Sequence, residues 1–292
     1  MTEAASRSRS TRGRSLWRLS AQRLMRNPGA VTGMVVLGVL VAASVLAPWL
    51  TSFDPIALAP RDRLQPPGGA HWFGTDAFGR DIFTRVVYGG RTSLQIGFVA
   101  VTISTLIGVT LGLVAGYFGG TVDQIASRIV DVMLAFPGLL LALAIVAILG
   151  PNLLNAMIAV GISASPNYAR VTRGAVLQAK ELAFVEAAQQ SGARTWRILV
   201  LHVLPNVLGP IVVIATLGVA NAIIAGAALS FLGLGAEPPT PEWGLMLSDG
   251  RAYLRHAWWI TTFPGLAIMV TVLAINLVGD GLRDALDPRM TR

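Results

Sequence analysis

Residues 186–206 read EAAQQSGARTWRILVLHVLPN, a polar stretch set between two apolar runs, and its punctuation decides what kind of chain this is. Glu186-Ala187-Ala188 is helix-forming composition. Ser191-Gly192 then interrupts it, at a glycine that tolerates the backbone angles of a helix end. His202-Val203-Leu204-Pro205-Asn206 closes the stretch, with Pro205 placed to open the next helix where its missing N–H costs nothing. The spacing predicts two short helices folded into a compact knob, with alanines small enough for close contact with a partner. Taken alone, Glu-Ala-Ala is good helix composition and no more. The glycine at its offset and the flanking apolar runs set this instance apart.

Outward from the knob the chain is apolar. Of 292 residues, 53% are hydrophobic and 13% charged, with a mean hydropathy of +0.62, which excludes an ordinary soluble domain. The apolar residues fall in runs near the roughly 20 residues a helix needs to cross a hydrocarbon core. Six spans are predicted, at 31–50, 92–116, 125–149, 153–169, 206–232 and 259–282, the fourth being the shortest. The expected fold is an all-α polytopic membrane protein with six transmembrane helices. Its divisions are a basic cytoplasmic segment 1–30, a first span 31–50, an extracytoplasmic loop 51–91, a five-helix core 92–286 containing the cytoplasmic loop 170–205, and a tail 287–292.

Charge sets the expected direction. Arg7, Arg9, Arg12, Arg14, Arg18, Arg23 and Arg26 precede the first span, whereas in the loop after it Asp54, Asp62, Asp76 and Asp81 balance Arg61, Arg63, Arg80 and Arg85. Positive-inside topology therefore puts the N-terminus, and after six crossings the C-terminus, in the cytoplasm. The first run is long for the apolar core of a cleaved signal, and no small-x-small site follows it. The net charge of +8 lies beside apolar runs rather than in a domain of its own, so it reports topology and not nucleic-acid binding. There is no cysteine, which removes disulfides and thiolate metal sites.

Inside the spans, Gly108, Gly112, Gly116 and then Gly218, Ala222, Gly226 repeat at four-residue spacing, which lets helices approach closely. Thr102, Ser104, Asn155, Asn221 and Asn276 face either a pathway or another helix. Arg128 with Asp131, and Asp280 with Arg283, stand three apart and are placed to pair on one helix face. In the external loop, Gly74-Thr75-Asp76 and Gly79-Arg80-Asp81 read first as a tight turn or a docking surface. Glycine suits the turn, Asp76 can accept neighbouring amides, and Arg80 can pair with a carboxylate.

The knob sequence, with spans on both sides, resembles the EAA loop of ABC-importer permeases. Phe73-Gly74-Thr75-Asp76, Gly79-Arg80-Asp81, Tyr88-Gly89-Gly90-Arg91-Thr92-Ser93-Leu94, Asp131-Val132-Met133-Leu134-Ala135-Phe136-Pro137, Arg26-Asn27-Pro28 and the C-terminal stretch 279–289 narrow the resemblance. It is to the C-type permease of the dipeptide/oligopeptide/nickel importers, over nearly the whole chain from about Leu16 onward. That resemblance implies the type I importer permease fold and a heterodimer with a second, B-type permease. It also implies two cytoplasmic nucleotide-binding domains and an extracytoplasmic solute-binding protein. ATP and Mg²⁺ are then used by those partners, this chain binding no cofactor of its own. It further implies that Glu186, Ala187, Ala188, Gly192 and Ala193 match the centre of the coupling helix that sits on the ATPase, and His202, Pro205 and Asn206 its end. Peptide is the modal substrate, with nickel complexes or other small solutes as alternatives.

An enzyme is excluded by inventory: a P-loop needs a lysine after glycine, and the only lysine, Lys180, follows Ala179. His71, His202 and His256 fall in loops or at span boundaries, which leaves no histidine for an intramembrane serine protease, and no H-E-x-x-H exists. A secondary transporter is the rival class. It would show a second repeat or coupling charges in broken helices, and would transport without ATPase subunits.

Overall fold

The structure, a computed structural model, describes residues 21–286. The arginines of the basic segment before residue 21 and the tail 287–292 lie outside the described residues. Every regular element among those described is helical, joined by an ordered loop over 51–81.

Helix α1 (Pro28–Val45) starts where Asn27 Oδ1 accepts the Ala30 N–H at 3.2 Å and Pro28 takes the first helical position. Its last carbonyls, at Ser44 and Val45, accept from Arg91 at 2.6 and 2.7 Å, and a short α2 (Ala47–Leu50) follows. Helix α3 (Ile82–Phe118) is 37 residues long and begins on Asp81, whose Oδ2 takes the Thr84 N–H at 2.7 Å. The expected loop to residue 91 therefore ends ten residues early, and the Tyr88–Leu94 motif is helical. Gly89 and Gly90 act there as clearance: a Cβ on Gly90 would strike Ser44 Oγ, and one on Gly89 would press on the Trp243 ring.

Gly119 and Gly120, both at positive φ, turn the chain into α4 (Gly120–Leu134). A straight third span over 125–149 is not what forms. Helix α4 is followed by α5 (Gly138–Leu149) at a bend of 94°, because Pro137 cannot continue a helix and biases Phe136 away from helical angles. Nor is the fourth span short, since α6 (Leu153–Ala179) runs for 27 residues and takes Arg170 and Arg173 into the helix. Those arginines redirect the expected ion pairs. Asp131 bonds Arg170 at 3.0 Å rather than Arg128, and Asp123 receives Arg173 Nη2 at 2.6 Å, so α4 is tied to α6. Asp280 and Arg283 form no ion pair among the described residues.

After α6 come α7 (Ala183–Gln190), α8 (Thr195–Ile198), a π-turn (Leu199–Val203) and α9 (Leu204–Phe231). A short α10 (Trp243–Gly250) and then α11 (Trp259–Leu286) complete the chain. The helices α1, α3, the continuous stretch Thr195–Phe231 and α11 are each long and apolar enough to cross a membrane, and the bent pair α4–α5 makes a fifth. Helix α6 has the length to cross, but Asn155, Ser163, Ser165, Asn167, Arg170 and Arg173 dilute its apolar character, and it is not among the helices apolar enough to do so.

The α3–α6 pair is the most extensive helix contact, and the glycine spacing makes it possible. A Cβ on Gly112 would sit 2.6 Å from the Ala169 carbonyl, while Gly108 and Gly116 meet Tyr168 and Val176 as closely. On α9, Gly218 lies against the Tyr168 hydroxyl and Gly226 against Ile96. The core is thus a backbone-to-backbone seam with α9 laid across it.

Candidate functional site

Three features stand out: a knob at one end, a furrow along the core and a rigid plate at the other end. In the knob, Val185, Ile198 and Val203 are buried together with Val176, Ala179, Val207 and Ile211, so α7 and α8 fold back on the ends of α6 and α9. Gly192 joins them at φ +72°, a conformation that costs an L side chain roughly 1–2 kcal/mol. No atom lies within 4 Å of where its Cβ would be. Glu186, Ala187 and Gly192 are exposed, whereas Ala188 and Ala193 pack against the knob's own interior. Composition did not reveal what lies beside them: Phe184, Trp196, Val200 and Leu201 are exposed, Trp196 by 60%.

Helix α9 opens at Leu204 and holds Pro205 in its first turn, as the sequence predicts. The chain is already helical there, and the π-turn carries it, with Leu204 N–H bonding Leu199 O. A widened turn accommodates the proline ring inside a continuous helix. Asn206 Nδ2 donates to the His202 carbonyl at 2.6 Å beside the position where Pro205 has no N–H, and the His202 ring lies 6.4 Å from that of Phe184. Lys180 Nζ reaches the Gly116 carbonyl at 3.3 Å, a cation at the C-terminus of α3.

At the opposite end, Asp76 accepts the N–H groups of Phe78 and Arg80 at 2.8 and 2.9 Å and Arg80 Nε at 2.6 Å. Arg80 reaches on to Asp249, and the fully buried Arg85 donates to the carbonyls of Pro55 and Pro239 at 2.7 and 3.2 Å. Asp81 meets His71 Nδ1 at 2.9 Å, and Thr75 Oγ1 bonds Asp62 O and the Gln65 N–H. Gly74 and Gly79 take positive φ where a Cβ would collide with Gln65 and Ala59 backbone. Thr75, Asp76, Arg80 and Asp81 are therefore buried; they build the plate, and it is Trp72 and Phe78 that it presents outward.

Glu242, one of the charged residues of the loop between α9 and α11, is wholly buried. It caps α10 by accepting the N–H groups of Gly244 and Leu245 at 2.9 and 2.7 Å and the Ser93 hydroxyl at 3.2 Å. Burial raises its carboxyl above the ordinary range despite those bonds, and burial raises Asp249 too, with Arg80 and Arg85 opposing.

Between the ends, α6 and α9 line two cavities of about 810 and 570 Å³ that share Val171, Ile214 and Leu217. The first opens toward the knob, past Asn206, Gln178 and Arg283 of α11; the second lies deeper, where Asn167 and Asn221 face it. This sorts the polar residues of the spans. Thr102 returns to the Phe98 carbonyl, Ser104 bonds Gly161 O across the α3–α6 seam, and Asn155 closes the α5–α6 turn on Leu149 and Gly150 carbonyls. Asn221 faces the furrow.

Comparison with known proteins agrees with this layout. Residues 108–292 match the family described as binding-protein-dependent transport system inner membrane component, and residues 15–67 match the N-terminal transmembrane domain of oligopeptide transport permease C. A dipeptide transport system permease protein of Alkalihalophilus pseudofirmus is 52% identical over 94% of this chain and 91% of its own. A glutathione transport system permease protein of Pectobacterium atrosepticum is 46% identical over 95% and 92%. The fold is shared with the inward-facing methionine ABC transporter MetNI, at a TM-score of 0.56 and 21% identity, over 70% of this chain and 96% of that one.

Proposed function

The chain belongs to the family of binding-protein-dependent transport system inner-membrane components, and on that premise we propose that it moves peptides through the bacterial inner membrane as one half of a two-permease pathway. As an ABC-importer permease it is a non-catalytic subunit, working with ATPase, permease and binding-protein partners. The second half is a B-type permease, and two cytoplasmic nucleotide-binding domains use the ATP and Mg²⁺. An extracytoplasmic solute-binding protein delivers the peptide to the plate end. The relatives named for dipeptide and glutathione transport support peptide as the solute.

The observation that carries the coupling role is the knob. Its inner face is satisfied by the chain's own core, while Glu186 and Ala187 are exposed on it together with aromatic and aliphatic side chains. ATP-driven closure of the partner domains can reorient the helices only through a contact that differs between states. Seated on the ATPase, the knob is that contact, and the basic residues that flank it support a cytoplasmic position for it and for both termini. The test is reconstitution of both permeases and both nucleotide-binding domains in liposomes, supplied with the solute-binding protein and labelled dialanine or trialanine. ATP-dependent uptake, abolished when the ATPase subunits are omitted, is expected; uptake that persists without them would establish the secondary-transporter class instead.

A further inference from the structure

The deeper cavity has a polar lining that is almost entirely self-satisfied. Ser104 is engaged by the carbonyls of Ala100 and Gly161, Ser163 by Val160, and Tyr168 by Ile214. Arg170, at the rim, is paired with Asp131. No carboxylate lines the chamber, so it offers no counter-charge to a bare cation. What is left are the carboxamides of Asn167 on α6 and Asn221 on α9, both exposed to the chamber. Elsewhere the asparagines at helix ends, Asn27, Asn152 and Asn206, turn their side chains onto main-chain groups of their own helices. Asn167 stands about 20 Å along α6 from Leu153, one turn before Arg170 at the rim.

We propose that Asn167 and Asn221 are a solute-binding rung that hydrogen-bonds the peptide groups of a short peptide in transit, behind an apolar waist of Val171, Ile214 and Leu217. A carboxamide carries both donors and an acceptor, the complement of a peptide bond, so the rung holds any short peptide by its main chain and is indifferent to side chains. A volume of about 570 Å³ is within the usual range for small-molecule sites. Two neutral contacts give weak holding, as a pathway that must release its cargo requires. Val171, Ile214 and Leu217 line both this chamber and the cavity that opens toward the knob. This inference rests on the permease role proposed above.

The test uses the absence of cysteine in this chain. Ala225→Cys, on the same chamber wall, is labelled in the assembled importer in membranes with a small hydrophilic thiol reagent, read by mass on this chain. Dialanine is expected to slow the labelling, and free alanine, which has no peptide bond, to slow it much less. Asn167→Leu and Asn221→Leu in that background are each expected to raise the dialanine concentration needed by about tenfold. The labelling rate without dialanine reports that the chamber is still formed in each variant. Labelling that dialanine does not slow, or slowing that survives both substitutions, overturns the rung and leaves the permease role intact. Labelling no faster than at Leu106→Cys, exposed on α3 and not part of the chamber lining, overturns the pathway reading itself.

Discussion

Gly192 puts two requirements on one position, a positive φ and an exposed site, and only the first is structural. Gly192→Ala meets no steric obstacle, so its expected cost is the backbone strain alone, about 1–2 kcal/mol, borne by the α7–α8 joint. We expect normal membrane levels and a lower ratio of peptide taken up to ATP hydrolysed, with Gly192→Leu more severe; equal ratios in wild type and Gly192→Leu would remove the knob from coupling. Asp76 is the opposite kind of residue, buried and three times engaged. Asp76→Ala leaves Arg80 buried with the longer Asp249 contact as its remaining ion pair and takes the 3.8 Å carboxylate contact from buried Arg85, and should destabilise the plate by about 3–5 kcal/mol, seen as a lower melting temperature of the purified complex. Asp76→Asn, which keeps an acceptor for the two main-chain N–H groups, should recover part of it. Both residues were legible in the sequence because their partners are local: glycine at a helix break, aspartate bonding the next turn. The Asp131–Arg170 and Asp123–Arg173 pairs were not, because their partners lie on another helix and the nearer Arg128 was the tempting choice.

Helices were foreseeable where apolar length alone decides them, and misjudged where context does. The 94° bend follows from Pro137, which sits within an apolar run, and the extra length of α6 follows from its burial against α3, which hydropathy cannot see. Helix α10 shows the same limit. Its cap is a glutamate whose importance lies in burial, and that burial has a measurable sign. The folded Glu242 carboxyl is raised above its unfolded value, so the folded state binds the proton more readily and the group's contribution to stability falls as pH rises from the ordinary carboxylate range through the raised value. Glu242→Gln cannot ionise. Its melting temperature relative to wild type should therefore be more favourable at pH 8 than at pH 5; a difference independent of pH would mean that Glu242 ionises normally. Glu242→Ala, which leaves the Gly244 and Leu245 N–H groups uncapped, should cost about 1 kcal/mol or more at either pH.

Across the whole molecule, the α3–α6 seam joins a plate built of buried charge to a knob built of exposed apolar surface. The seam depends on Gly112, and Gly112→Leu should force the two helices apart and abolish assembly of the importer, measured as loss of co-purified partner subunits; recovery of an intact complex would show the seam to be compliant. The family was legible because its signature segments are contiguous in sequence, whereas the furrow, assembled from α6, α9 and α11, exists only once they meet. Where α3 ends, its Gly116 carbonyl is held by Lys180, the chain's only lysine, just before the knob begins. A movement of the α6 C-terminus against α3 that stretches this bond would release the amine to water. The chain therefore carries a built-in chemical gauge of its own stroke: acylation of Lys180 should run at different speeds in the resting and ATP-bound importer, and the ratio of the two would time the motion without a probe being introduced.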